Sequence, residues 1–210
     1  NYTFTEDSSV DEIINNIKKV QIESIQDTAD LIETDMLEMA TSYLLKAKHI
    51  VIFGLSPNIF LGEVFRRKMI TIGKSIDIAK LGEMGIISRT LGSDDCAIMI
   101  SYSGNNENGE PMRYLPVLLD NQVPVIGITS GGDNYLRKKL SCVLTISSKE
   151  RLYTKISNFA TEESIHFILN CLFSCYFARD FQNNNHFKLQ HSKVLETHRV
   201  AVLNQMKDEK

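Results

Sequence analysis

Ser101-Tyr102-Ser103-Gly104-Asn105-Asn106 follows an unbroken apolar run, Cys96-Ala97-Ile98-Met99-Ile100, and precedes a helix-compatible segment from Glu107. Two serine hydroxyls, a glycine and two amides in that order suit the binding of an anion. The apolar run reads as a buried strand that delivers the loop to a helix N-terminus. There, unpaired backbone N–H groups carry partial positive charge, and Gly104 lets the backbone approach closely. The loop holds no Lys or Arg, so its donors are neutral.

A second polar, glycine-containing loop, Gly54-Leu55-Ser56-Pro57-Asn58, also ends an apolar run. In an open parallel sheet, ligands bind beyond the carboxyl ends of strands where the winding reverses, so two such loops on neighbouring strands can close on one ligand. Ser56 then aims a hydroxyl at that ligand, or else caps the helix that begins near Asn58. Thr129-Ser130-Gly131-Gly132 ends a further strand and reads as a plain turn. Proton-transfer chemistry would draw on Glu107, Glu110, Glu162, Glu163 or His166. None of these sits in a catalytic motif, and each fits a solvated helix residue or a carboxylate near a helix start. No catalytic residue is assigned.

These loops need a scaffold, and the chain is long enough to provide one. Its 210 residues are 43% hydrophobic and 23% charged, which suits one compact core with helical extensions rather than disorder. The formal net charge is −3, a poor match to a broad nucleic-acid surface, which needs clustered Lys and Arg. Cys96, Cys142, Cys171 and Cys175 lie in or beside apolar runs, as reduced thiols of a cytoplasmic core would. Cys171, Cys175 and nearby His166 lack further ligands at metal-binding spacing, so no metal or cofactor is expected. No signal peptide is expected, and no apolar run approaches the roughly 20 residues that span a bilayer. The first residue is Asn1 rather than Met, which suggests a piece of a longer chain.

Apolar spacing predicts an amphipathic helix from Val10 to about Leu31 and a second helix capped by Asp35. Strands and helices then alternate: strand 49–54, helix 58–72, strand 75–78, helix 84–91, strand 96–100, helix 110–121, strand 123–129, helix 135–140 and strand 142–146. Repeated strand–helix–strand units demand right-handed crossovers and a parallel sheet covered on both faces, hence a doubly wound α/β fold. A long apolar helix over 159–181 follows. Asn183-Asn184-Asn185 breaks it, and a charged helix over 187–206 ends the chain. A helix apolar round most of its circumference must be buried on several sides, either by the chain's own N-terminal helices or by a second subunit. Homodimerisation is the expectation.

The Ser-x-Ser-Gly loop after its strand, the earlier Gly-x-Ser loop and the strand Val123-Pro124-Val125-Ile126-Gly127-Ile128-Thr129-Ser130 together resemble the sugar isomerase (SIS) domain, which binds phosphosugars. The resemblance spans about 47–181, leaving a helical lead-in at 1–46 and a C-terminal helical extension at 182–210. The lead-in through Leu45-Lys46-Ala47-Lys48 and the C-terminal helices are similar to RpiR-type bacterial transcriptional regulators, in which an N-terminal helix-turn-helix domain precedes this sensor domain. The resemblance implies a five-stranded, flavodoxin-like parallel sheet, a phosphosugar held by Ser56, Ser101, Ser103, Gly104, Asn105 and Asn106, and DNA contact only through a domain absent from this chain. Asn106 stands where the family usually has Thr, and Asn105 where Glu is common. Thr161-Glu162 replaces a frequent Ser-Arg pair, which reverses a charge. A sensor requires only differential binding between two conformations, so a non-catalytic phosphosugar sensor is preferred over a sugar-phosphate isomerase or a bare dimerisation module.

Overall fold

The computed structural model describes residues 2–207. Helices α1 (Val10–Leu31) and α2 (Thr34–Lys46) come first, followed by β1 (Ile50–Gly54), α3 (Asn58–Ile70), β2 (Asp77–Ile78), α4 (Met84–Thr90) and β3 (Cys96–Ile100). A 3₁₀ turn (Met112–Tyr114) then leads into α5 (Leu115–Asp120), β4 (Val125–Ser130), α6 (Tyr135–Lys139), β5 (Cys142–Ile146), α7 (Phe159–Arg179) and α8 (Phe181–Leu195). The five strands are all parallel, in the order β2-β1-β3-β4-β5. This is the doubly wound arrangement whose winding reverses between β1 and β3.

Strand alternation divides the core into two layers. Ile50, Ile52, Ile98, Ile100, Ile126, Ile128, Leu144 and Ile146 face one side, where they pack with Leu44 of α2, Phe65 and Met69 of α3, and Ile165, Ile168 and Leu172 of α7. Val51, Phe53, Ala97, Met99 and Val125 face the other, against Met84 of α4, Leu115 and Leu118 of α5, and Leu136 of α6. Both faces are covered, which is why the strands read as continuous apolar runs.

Several local expectations change. Asp35 does not cap α2: Glu33 holds the N-cap position with no side-chain hydrogen bond, and Asp35 lies in the first turn, where its charge still favours the helix end. The long helix breaks at Asp180, and Asn183-Asn184-Asn185 lie inside α8. Asn184 Nδ2 donates across the break to Phe177 O at 3.0 Å, so these amides bridge the break rather than cause it. The last helix stops at Leu195 instead of reaching Met206. The helix expected over 110–121 is cut to a 3₁₀ turn and the short α5. Pro111 and Pro116 lack a donor N–H and disfavour helical backbone in the residues before them.

Candidate ligand site at the sheet switch point

Gly54 of β1 pairs with Ile100 of β3. Ser101 therefore follows that pair by one residue and Ser56 by two, on adjacent strands at the same carboxyl edge. The structure thus brings the two loops together at the switch point. Ser56 is exposed, while Ser101 and Ser103 are half-buried. Ser101 Oγ accepts from Gly104 N at 3.2 Å, and Ser103 Oγ accepts from Asn105 N at 3.5 Å. Each hydroxyl oxygen is held by the loop's own backbone, which leaves its proton to be donated elsewhere.

The helix N-terminus at this site differs from the one the sequence suggested. No helix begins at Glu107: residues after Asn106 form turns as far as Pro111. The helix end beside Ser56 belongs to α3, whose N-cap position is held by Pro57 with no side-chain hydrogen bond and no acidic residue in the first turn. Ser56 therefore does not cap it. That positive end lacks any side-chain anion of its own, and it lies where the serine loop emerges.

Gly104 is needed for the loop's shape. Its φ is +61°, and an added Cβ would fall 2.6 Å from Asn134 Cγ and against Thr129 Oγ1. The neighbouring loop, read from sequence as a plain turn, supplies that buttress. Asn134 Nδ2 donates to Thr129 Oγ1 at 3.2 Å and to Ser130 O at 3.1 Å, and Leu136 N donates to Gly104 O at 3.0 Å. Asn105 Oδ1 accepts from Tyr135 N at 3.1 Å, adding to the Asn134 side chain that caps α6. Asn106, at φ 70°, lies against Gly109, where an added Cβ would meet its Cγ at 2.7 Å. Both amides line a separate cleft of about 530 Å³ with Lys138 and Lys139. The serines stay at the switch point, while the asparagines serve α6 and the following turn.

Sequence reasoning missed two residues. Tyr102 packs against the core layer that holds Ile98 and Ile100, and its hydroxyl donates to Glu150 O at 2.6 Å while accepting from Glu150 N at 3.1 Å. Burial pushes its phenol pKa up. Glu150 in turn accepts from Ala160 N at 2.6 Å, from Thr161 N at 3.1 Å and from the Thr161 hydroxyl, so it caps α7. The Ser-Tyr-Ser alternation at a strand end was the available signal for Tyr102. Glu150 gave none, because its partners lie ten and eleven residues onward.

Among the acid–base candidates, Glu162 has its carboxyl pKa raised, first by burial and then by the nearby charges of Glu150 and Glu163. Glu163 Oε1 accepts from Gln21 Nε2 of α1 at 3.0 Å, and Glu110 Oε1 accepts from the Tyr114 hydroxyl at 2.9 Å. None of these three belongs to the serine loop. Among the described residues, no three His, Cys, Asp or Glu side chains are grouped to hold a metal.

A doubly wound sheet with paired polar loops at its switch point has the layout in which α/β domains place small-ligand sites. Residues 43–165 match the family model for the SIS domain, and the chain belongs to that family. An uncharacterised HTH-type transcriptional regulator of Clostridium perfringens is 26% identical over 148 residues, which cover 70% of this chain and 52% of the relative. The chain thus spans about half the length of that curated relative. Among solved structures, the NanR protein of Vibrio vulnificus complexed with ManNAc-6P superposes with a TM-score of 0.81 at 17% identity, over 90% of this chain and 71% of that one. A putative sugar-phosphate isomerase from Listeria monocytogenes gives a TM-score of 0.72 at 16% identity, over 88% and 98%. NanR and a putative sugar-phosphate isomerase therefore share this fold. No helix among the described residues is long and apolar enough to cross a membrane.

Proposed function

We propose that this chain is the phosphosugar-sensing effector domain of a cytoplasmic, RpiR-type DNA-binding regulator of sugar metabolism. The carrying observation is the convergence of Ser56, Ser101 and Ser103 on the β1/β3 switch point beside the uncapped N-terminus of α3. That end and the serine hydroxyls hold the phosphate, and Gly104 gives the loop its curvature. Asn105 and Asn106 shape the far side of the loop through α6 and Gly109. The C. perfringens relative, an HTH-type transcriptional regulator, supports the regulatory reading, and NanR complexed with ManNAc-6P supports a phosphosugar ligand. DNA contact belongs to a domain outside this chain, and the working unit is a homodimer, to be checked by sedimentation velocity.

Isothermal titration against a panel of hexose and N-acetylhexosamine phosphates tests the site. Binding of at least one member is expected, and the double variant Ser101→Ala, Ser103→Ala should weaken it at least about tenfold, the scale of losing two hydrogen bonds to a charged group. Unchanged affinity in that variant refutes the assignment.

The isomerase alternative draws on the fold shared with the putative L. monocytogenes isomerase, with Glu162, whose carboxyl pKa burial raises, as its candidate proton carrier. It requires turnover of a sugar phosphate by the chain, abolished in Glu162→Gln. A ligand that binds without turnover decides for the sensor.

A further inference from the structure

The contacts of Tyr102 and Glu150 extend from the serine loop to the far end of the helical layer. Tyr102 stands between the two serines, so any ligand that orders Ser101 and Ser103 also fixes the backbone that carries the phenol. The phenol grips Glu150 by both its main-chain N–H and C=O, while the Glu150 carboxylate occupies the N-terminus of α7. A carboxylate accepting backbone N–H bonds at a helix start makes charge-assisted bonds along the dipole, and here it takes the place an external anion would need. Lys155 lies 5.2 Å from the Tyr102 ring centroid, a further contact from the same loop.

The segment that carries Glu150 is also fastened to α1. Ser147 N donates to the buried Thr28 Oγ1 at 3.1 Å, and Lys149 Nζ pairs with Asp27 at 2.8 Å and Glu23 at 3.1 Å. Within four residues, 147–150, the chain therefore holds α1, the α7 N-terminus and the serine loop. Gln21 and Glu163 join α1 to α7 directly.

We infer that Tyr102 and Glu150 form a clasp that reports occupancy of the serine loop to α1. Tyr102 is a positioning residue, and Glu150 is the internal anion that keeps α7 in register with it. Ordering of the loop tightens the phenol on Glu150, and the 147–150 segment passes that change to the stretch Glu23–Thr28 of α1. The ligand half of this inference rests on the proposed phosphosugar reading, whereas the clasp is a property of the free protein.

Amide hydrogen exchange on the full chain tests both halves. In the ligand-free protein, Tyr102→Phe, which removes both phenol bonds to Glu150, and Glu150→Gln should each speed exchange in the first turn of α7 and in residues 23–28 of α1 by at least about fivefold, the scale of one or two lost hydrogen bonds in a local opening equilibrium. Unchanged exchange in residues 23–28 of both variants overturns the clasp. In the second arm, N-acetylmannosamine 6-phosphate, glucose 6-phosphate and inorganic phosphate are added at saturation. A bound probe should slow exchange of residues 23–28 in the wild type but not in Tyr102→Phe, and equal protection in both overturns the reporting route. If no phosphate probe binds the wild type, the phosphosugar reading and the reporting half both fail. The ligand-free arm still decides whether the clasp exists.

Discussion

Gly104 shows how one residue type serves the candidate site indirectly. Its positive φ and the contacts of Thr129 and Asn134 leave no room for a Cβ. Gly104→Ala should cost about 2–4 kcal/mol, combining a left-handed backbone penalty with overpacking, and should lower the urea midpoint at unchanged m-value. Glu162 offers a test of opposite sign. Its folded pKa is raised above the ordinary 4.5, so burying its charge opposes folding at neutral pH. The opposition fades as pH falls through the raised folded value, and it is gone below the unfolded value, where both states are protonated. Glu162→Gln should therefore give a small gain in Tm at pH 7 that disappears near pH 4. A gain of equal size at both pH values would assign the effect to packing instead.

At the scale of elements, α7 explains much of what the sequence could and could not reveal. Its all-round apolarity was legible and suggested a second subunit, yet α1, α2, α3 and the sheet already surround it. The dimer proposed above thus needs another surface, and α1 exposes Val10, Ile14 and Ile22. Strand positions were readable because a sheet covered on both faces leaves no polar alternation to confuse the pattern. The end of β3 was harder to interpret: Gly109, Pro111 and Pro116 displaced the expected helix, so the helix end at the candidate site belongs to α3 rather than to a helix after the serine loop. Contacts set by the tertiary fold, such as Asn134 on Gly104 or Glu150 on α7, left no local periodicity to find. One of them fastens α1 to the sheet. Thr28→Val keeps the shape but leaves the buried Ser147 N–H without its acceptor, so a loss of about 1–3 kcal/mol is expected, with Thr28→Ser restoring most of it in urea unfolding. Cysteine labelling tests the core in the same way. Burial pushes the Cys142 thiol up to about 12 and Cys96 further still, so native labelling should reach Cys171 and Cys175 first and the two strand cysteines only on unfolding. Equal rates at all four would mean that the sheet opens locally.

Over the whole molecule, the ligand proposal becomes a linkage statement. The serine loop, its Asn134 buttress and the Glu150 cap depend on the assembled sheet, so the unfolded chain has no site and any ligand binds the native state alone. Such a ligand at about 100 times its Kd stabilises the fold by about 2.7 kcal/mol. For a chain of this size, roughly 1 kcal/mol moves Tm by 2–4 °C, so a shift of about 5–10 °C is expected in a thermal melt with a sugar phosphate that binds. The Ser101→Ala, Ser103→Ala chain should melt close to the wild type without ligand, since these half-buried hydroxyls accept only from their own loop's backbone. It should also lose most of the ligand-dependent shift. Gly104→Ala should behave differently, melting lower with or without ligand because the change weakens the scaffold as well as the loop. Melts of the three chains with and without ligand separate the two roles: a double-serine variant that keeps the full shift would place the phosphate away from the switch point.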